Sequence, residues 1–253
     1  MMAWRTTAVM LSLASGIAAA EPLPSGSSFL SDGLRARQAD EAMNPGMLWV
    51  SQGAELWNAK AGAEQKSCAT CHHSAAATMR GTATRYPKVD RKSGHLMNLE
   101  ARINLCRTRH QKAKPFAYES DELLGLTAFV ARQSFGLPMN VAADAPVQPF
   151  LERGKAFFNR RQGQLNLACR HCHIDNAGRR LRGDTISHGI ATGYPAYRFE
   201  WQSLGSLHRR LRACSYGVRA IRFPPGSQEY LELELFLAVR AQGAKIETPA
   251  IRR

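Results

Sequence analysis

The chain has 253 residues, 44% of them hydrophobic, and Lys+Arg 34 against Asp+Glu 20 gives a net charge of +14. This composition excludes a disordered chain. No internal apolar run reaches the ~18 residues of a membrane span, which excludes a multi-span membrane protein. The positive excess points to anionic partners, and six cysteines are few for a disulfide scaffold of this size, so their spacing carries the information.

Taken in chain order, residues 1–20 form an export signal. Arg5 supplies the positive start, Thr6 to Gly16 a short apolar run, and Ala18-Ala19-Ala20 a small-residue cleavage site before Glu21. The run is too short for an anchor, so the mature chain is expected in a periplasm without a membrane span. A helix is predicted from Pro45, with Asn44 as its cap, closing on the motif Cys68-Ala69-Thr70-Cys71-His72. A second apolar helix is expected from about Asp121 to Phe135. Val141 to Pro149 reads as a linker, with Ala, Asp and two prolines. A new helix starts near Pro146 or Pro149 and closes on Cys169-Arg170-His171-Cys172-His173, and a last one runs from Ser227 to Gln242.

Both motifs are C-x-x-C-H, the attachment pattern of haem c. Two thiols add across the vinyl groups of the haem, and the adjacent histidine becomes the proximal iron ligand. A redox dithiol or half a zinc site are the alternatives for a single copy. Two copies in an exported chain predict two covalent haem c groups, held through Cys68, Cys71, Cys169 and Cys172, with His72 and His173 on the irons.

The chain repeats itself. Gly53 lies 15 residues before Cys68, and Gly154 lies 15 before Cys169. Leu56-Trp57 matches Phe157-Phe158, and Tyr86-Pro87 matches Tyr194-Pro195. From each tyrosine it is 16 residues to an arginine, Arg102 or Arg210, and 20 to a cysteine, Cys106 or Cys214. The offset is 101 before the motif and 107 to 108 after it, so the second copy carries an insertion of about seven residues. The predicted fold is all-α: two tandem, duplicated cytochrome c-like domains, each completed by one haem. Residues 21–140 hold an N-terminal extension and the first domain, 141–149 the linker, and 150–253 the second domain.

A cytochrome c commonly takes its second iron ligand from a downstream methionine. Met79, Met97 and Met139 follow the first motif, but no methionine follows Cys172. The second iron therefore has His188, His208 and Cys214 as candidates. His188 lies in the insertion and His208 aligns with Glu100, whereas Cys214 aligns with Cys106. A cysteine kept in both copies is expected to serve the haem, making Cys106 and Cys214 the axial ligands. A disulfide between them, or two buried thiols, are the alternatives. Thiolate ligation stabilises ferric iron and implies low potentials.

The positive charge concentrates in the second half, which holds 18 Lys+Arg against eight Asp+Glu from Leu151 onward. Arg209, Arg210, Arg212 and Arg219 surround Cys214 in sequence. Arginine suits a small oxyanion through its planar fork. No nucleic-acid motif accompanies the charge, and export argues against such a partner. The residues alone leave open a dihaem electron carrier without its own catalysis, or a dihaem peroxidase.

These features resemble the SoxA subunit family of the SoxAX cytochrome complexes, in its dihaem form, over nearly the whole mature chain. The most specific stretches are Asn44-Pro45-Gly46-Met47-Leu48-Trp49, Arg102-Ile103-Asn104-Leu105-Cys106-Arg107, Gly205 to Cys214, and Glu247-Thr248-Pro249-Ala250-Ile251-Arg252-Arg253. The resemblance implies an enzyme, an L-cysteine S-thiosulfotransferase, which oxidatively joins thiosulfate to a cysteine of the carrier protein SoxYZ while two electrons leave through the haems. It implies that Cys214 ligates the active-site haem and can carry a persulfide, that Arg210 binds substrate, and that Arg240 belongs to the same basic pocket. A small monohaem SoxX-like cytochrome is the implied heterodimer partner. Some relatives replace the first haem by a disulfide; this chain keeps Cys68, Cys71, His72 and Cys106.

Overall fold

The structure, a computed structural model, describes residues 21–253; the expected export segment lies outside them. Ten α-helices set the architecture: α1 (Asp32–Ala39), α2 (Met47–Asn58), α3 (Cys68–His72), α4 (Ala75–Thr78), α5 (Leu99–Cys106), α6 (Asp121–Arg132), α7 (Gln148–Asn159), α8 (Cys169–His173), α9 (Leu207–Gly217) and α10 (Gln228–Arg240). The described chain is not purely helical. It has seven strands of two or three residues: β1 (Lys88–Val89), β2 (Leu96–Met97), β3 (Arg180–Leu181), β4 (Asp184–Thr185), β5 (Ala196–Arg198), β6 (Ser203–Gly205) and β7 (Ala250–Arg252). Among the described residues no helix is long and apolar enough to cross a membrane.

The sequence repeat is a repeat of packing. In the first half α2 lies against α6, and in the second α7 lies against α10. Each crossing is set by a glycine. A Cβ on Gly53 would come 2.1 Å from the Gly125 carbonyl oxygen, and one on Gly154 would come 2.0 Å from that of Glu232. Only a residue without a side chain lets the backbones approach this closely. The helix caps repeat as well. Asn98 Oδ1 accepts the Ala101 N–H at the start of α5, and Ser206 Oγ accepts that of Arg209 at the start of α9.

Each half buries its own apolar cluster. Trp57, Leu99, Leu126 and Val130 form one, and Phe158, Leu207, Leu233 and Leu237 form its counterpart. Cys68 and Cys169 pack against these clusters. The C-x-x-C-H segments do not close α2 and α7, as the sequence suggested. The chain leaves each helix at Asn58 and Asn159, turns through left-handed Gly62 and Gly163, and makes a one-pair bridge, Ala61 with Lys66 and Gln162 with Leu167. The motifs then form separate short helices, α3 and α8. That turn leaves Cys68 near Cys106 and Cys169 near Cys214.

The ends of the described chain fasten the second half. β7 joins β5 in parallel register, with Arg198 opposite Arg252, and β6 pairs β5 on its other edge. Asn44 Nδ2 donates to the Pro249 carbonyl at 2.8 Å, and the Arg252 guanidinium pairs with Glu247 at 3.1 Å. Two of the most specific stretches of the sequence therefore meet each other, holding β5 rigid at the edge of the second site.

Candidate functional site

Each half brings its motif to its downstream cysteine. All six cysteines are unpaired, so Cys106 and Cys214 form no disulfide. Burial, reinforced by the neighbouring Cys106 sulfur, pushes the Cys68 thiol up to about 11. Burial and the nearby Cys214 do the same to Cys169, to about 12. These are thiols set in apolar surroundings, as a thioether to a haem edge requires. In the second half His173 Nδ1 lies 2.8 Å from the Ser187 carbonyl oxygen. A carbonyl only accepts, so Nδ1 carries the hydrogen and the Nε2 lone pair is free for a metal. The imidazole lies near enough to the Cys214 sulfur to help hold that thiol's pKa down. In the first half His72 packs beside Trp57, with ring centroids 5.8 Å apart. Burial, then the Arg102 charge, holds its pKa below the usual histidine value, which favours the neutral form that ligates iron. Two thiols, a neutral imidazole and an opposing cysteine in each half fit a haem c with His/Cys ligation.

The alternative ligands of the second site are engaged elsewhere. His208 is fully buried between the halves; its Nδ1 accepts the Gly226 N–H at 2.9 Å and its Nε2 lies 2.9 Å from Glu234 Oε2. His188 packs against Phe29, the rings tilted and their centroids 5.9 Å apart. His171, the extra histidine of the second motif, accepts the Ala168 N–H at 2.8 Å and caps α8.

The two cysteines differ electrostatically. Burial raises the Cys106 thiol above its ordinary value, and Arg102 and Arg109 offset this only in part. Burial acts on Cys214 too, but Arg210, His173 and Arg198 outweigh it, so Cys214 is lowered toward the thiolate. The cause is visible in the ion pairs. Arg102 Nη1 lies 3.0 Å from Asp90 Oδ1. Arg210 has no carboxylate within ion-pair distance among the described residues, and the strongest influence on it is the Cys214 sulfur.

The basic cluster read from sequence disperses in space. Arg209 stacks on Trp201 at 4.3 Å and donates to Ser203 Oγ at 3.2 Å. Arg212 donates to the Phe223 carbonyl, and Arg219 donates to Gln164 Oε1 at 3.3 Å. Helix periodicity turns Arg209 and Arg212 away, Arg219 lies beyond the end of α9, and Arg210, one turn before Cys214, stays on its face. Arg240 is half-buried on the Cys169 side, 4.7 Å above the Phe158 ring, with Nη1 donating to the His188 carbonyl at 3.1 Å. Arg198, at the end of β5, was not singled out from sequence, yet its charge reaches the Cys214 sulfur. The signal was present: Arg198 lies four residues after Tyr194, as Asp90 lies four after Tyr86.

A family model described as the SoxA/TsdA cytochrome c domain matches residues 52–139. The chain is 39% identical over 220 residues to the L-cysteine S-thiosulfotransferase subunit SoxA of Pseudaminobacter salicylatoxidans, covering 87% of this chain and 77% of that protein. It is 35% identical over 228 residues to the same subunit of Paracoccus pantotrophus, covering 90% and 78%. The crystal structure of SoxXA from P. pantotrophus superposes with a TM-score of 0.88 at 34% identity, covering 91% of this chain and 87% of that one.

Proposed function

The chain belongs to the SoxA family of cytochrome c proteins, and from that membership we propose that it is a dihaem thiosulfotransferase subunit working in the periplasm. In this reading it joins thiosulfate to a cysteine of a SoxYZ-like carrier. One haem c is held by Cys68, Cys71 and His72 with Cys106 as second ligand, and the other by Cys169, Cys172 and His173 with Cys214. The units are 21–140 and 150–253, joined by 141–149, and chemistry is confined to the second. The observation that carries this reading is the convergence of His173, Cys214 and a carboxylate-free Arg210.

The reaction forms one S–S bond between the terminal sulfur of thiosulfate and the carrier cysteine. The carrier S–H bond breaks, one proton is released, and two electrons are removed. When bound, the haems supply the sink for those electrons. The residues of the chain do the rest. Arg210 holds the sulfonate end through paired, charge-assisted hydrogen bonds. Being one helical turn from Cys214, it aims the terminal sulfur at the Cys214 sulfur. Cys214, held toward the thiolate, is electron-rich; whether as its own sulfur or as a persulfide, it forms an S–S bond to the terminal sulfur of thiosulfate as two electrons leave, and the carrier thiolate then takes the whole S–SO3 group by thiol–disulfide-type exchange, returning the Cys214 sulfur to its starting state. His173, fixed by Ser187, stays in the tautomer that a metal needs. Arg240 closes the Cys169 side of the pocket.

The relative's solved complex is a SoxXA pair, which supports a small SoxX-like monohaem cytochrome as heterodimer partner. The charge of the second half suits steering of a transiently docked carrier. The test is steady-state conjugation of thiosulfate to a SoxYZ acceptor. Cys214→Ala is expected to abolish it while leaving the first haem in place. Full activity in that variant refutes the proposal.

A further inference from the structure

We propose that Arg198 is a second oxyanion-gripping residue of the Cys214 site, and that the replacement of an acidic by a basic side chain at this one repeat position makes the second half, and not the first, a thiosulfate site. This deepens the function proposed above and rests on it.

The two halves can be superposed through their repeat. Tyr86-Pro87 corresponds to Tyr194-Pro195, and both peptide bonds are cis. The fourth residue after each tyrosine is Asp90 in the first half and Arg198 in the second. Arg102 and Arg210 occupy a shared position one helical turn before Cys106 and Cys214. In the first half the side chains from these two positions meet directly, Arg102 Nη1 to Asp90 Oδ1 at 3.0 Å. The guanidinium is engaged there by a carboxylate, which makes it a poorer grip for an anion. The matched positions of the second half carry two arginines, Arg198 and Arg210, and the charges of both lower the Cys214 thiol.

Arg198 is built to stay there. It is only 8% exposed. β5 is hydrogen-bonded on both edges, to β6 and to β7, and the Arg198 guanidinium lies 5.2 Å from the centre of the Trp201 ring, whose other cationic neighbour is Arg209. Its one carboxylate neighbour is loose: Arg198 Nη2 is 3.6 Å from Oε2 of Glu200, a mostly exposed side chain. Its Nε donor is buried with no hydrogen-bond partner. A buried charged donor without a partner is costly in an isolated protein. A dianion bridging Arg198 and Arg210 relieves that cost. Thiosulfate has three sulfonate oxygens, enough for two forks at once. The chemistry selected is a small tetrahedral sulfur oxyanion, carried with its sulfur toward Cys214.

The test is made on the haem-loaded heterodimer with two readouts, steady-state kinetics and calorimetric thiosulfate binding to the oxidised protein. Arg198→Gln is expected to raise KM and Kd about ten- to hundredfold, with kcat and the visible spectrum of the second haem changed far less. Arg198→Lys should restore part of the loss, because charge returns without the fork. Asp90→Asn, the matched position of the first half, should leave both constants unchanged. Unaltered KM and Kd in Arg198→Gln overturn the proposal. If Arg198→Gln fails to retain haem, Arg198→Lys decides: thiosulfate binding equal to that of the unaltered protein overturns it. If the unaltered protein binds thiosulfate but conjugates none to the carrier, the functional reading fails while the binding arm still decides the role of Arg198.

Discussion

Equivalent arginines should fail differently in the two halves. Arg102 and Arg210 occupy one repeat position, but Arg102 is paired with Asp90 at 3.0 Å and Arg210 is free to meet substrate. Truncating Arg210 to alanine removes a forked, charge-assisted contact to a dianion, worth about 2–4 kcal/mol, so kcat/KM for thiosulfate should fall roughly 30- to 900-fold. Protein stability should hardly change, since no protein carboxylate is orphaned. Truncating Arg102 leaves Asp90 unpaired. The Arg102 side chain is more than a third exposed, so solvent screening limits the cost to about 1 kcal/mol of stability. Its kcat/KM should stay within about threefold of the unaltered protein, which is under 1 kcal/mol. The assay is thiosulfate-dependent modification of the carrier cysteine, followed by mass spectrometry, beside thermal unfolding of the same preparations. A loss of kcat/KM in Arg102→Ala equal to that in Arg210→Ala would refute the assignment of substrate to the second half.

Cys106→Ala should change the spectrum of the first haem and leave that of the second intact; two unchanged spectra would remove Cys106 from the iron. Gly154→Ala places a methyl 2.0 Å from the Glu232 carbonyl and should destabilise the holoprotein by about 1–3 kcal/mol through forced separation of α7 and α10; an unshifted unfolding midpoint would contradict the close-approach argument. Burial, then the Glu234 carboxylate, holds the Glu100 carboxyl well above the usual carboxylate range. The folded chain thus binds this proton more tightly than the unfolded one, and stability falls as pH rises from the ordinary carboxylate value through the raised one. Glu100→Gln removes that slope, so its stability relative to the unaltered protein should improve from pH 5 to pH 9; parallel denaturation curves at both ends would contradict it.

The sequence by itself determined the chemistry that depends on residue type and spacing. Two C-x-x-C-H segments, the missing methionine after Cys172 and the matched repeat positions of Cys106 and Cys214 point to the donors proposed above, and donors are a property of side chains at fixed local intervals. The helix cores at 47–58, 121–132, 148–159 and 228–240 were legible for the same reason, since a 3.6-residue period is local. Tertiary structure decided what depends on direction. Of four arginines adjacent to Cys214 in sequence, three turn away to Trp201, Phe223 and Gln164: Arg209 and Arg212 because one residue of helix rotates a side chain by about 100°, and Arg219 because it lies past the end of α9. Arg198 is separated from Cys214 by a strand, a turn and half a helix, so no local interval could join them. The influence of the Arg198 charge on the Cys214 sulfur depends on the sheet that β7 joins from the far end of the described chain. The helices had to be packed before the charge around Cys214 could be counted, because electrostatic influence follows distance in space and not separation along the chain.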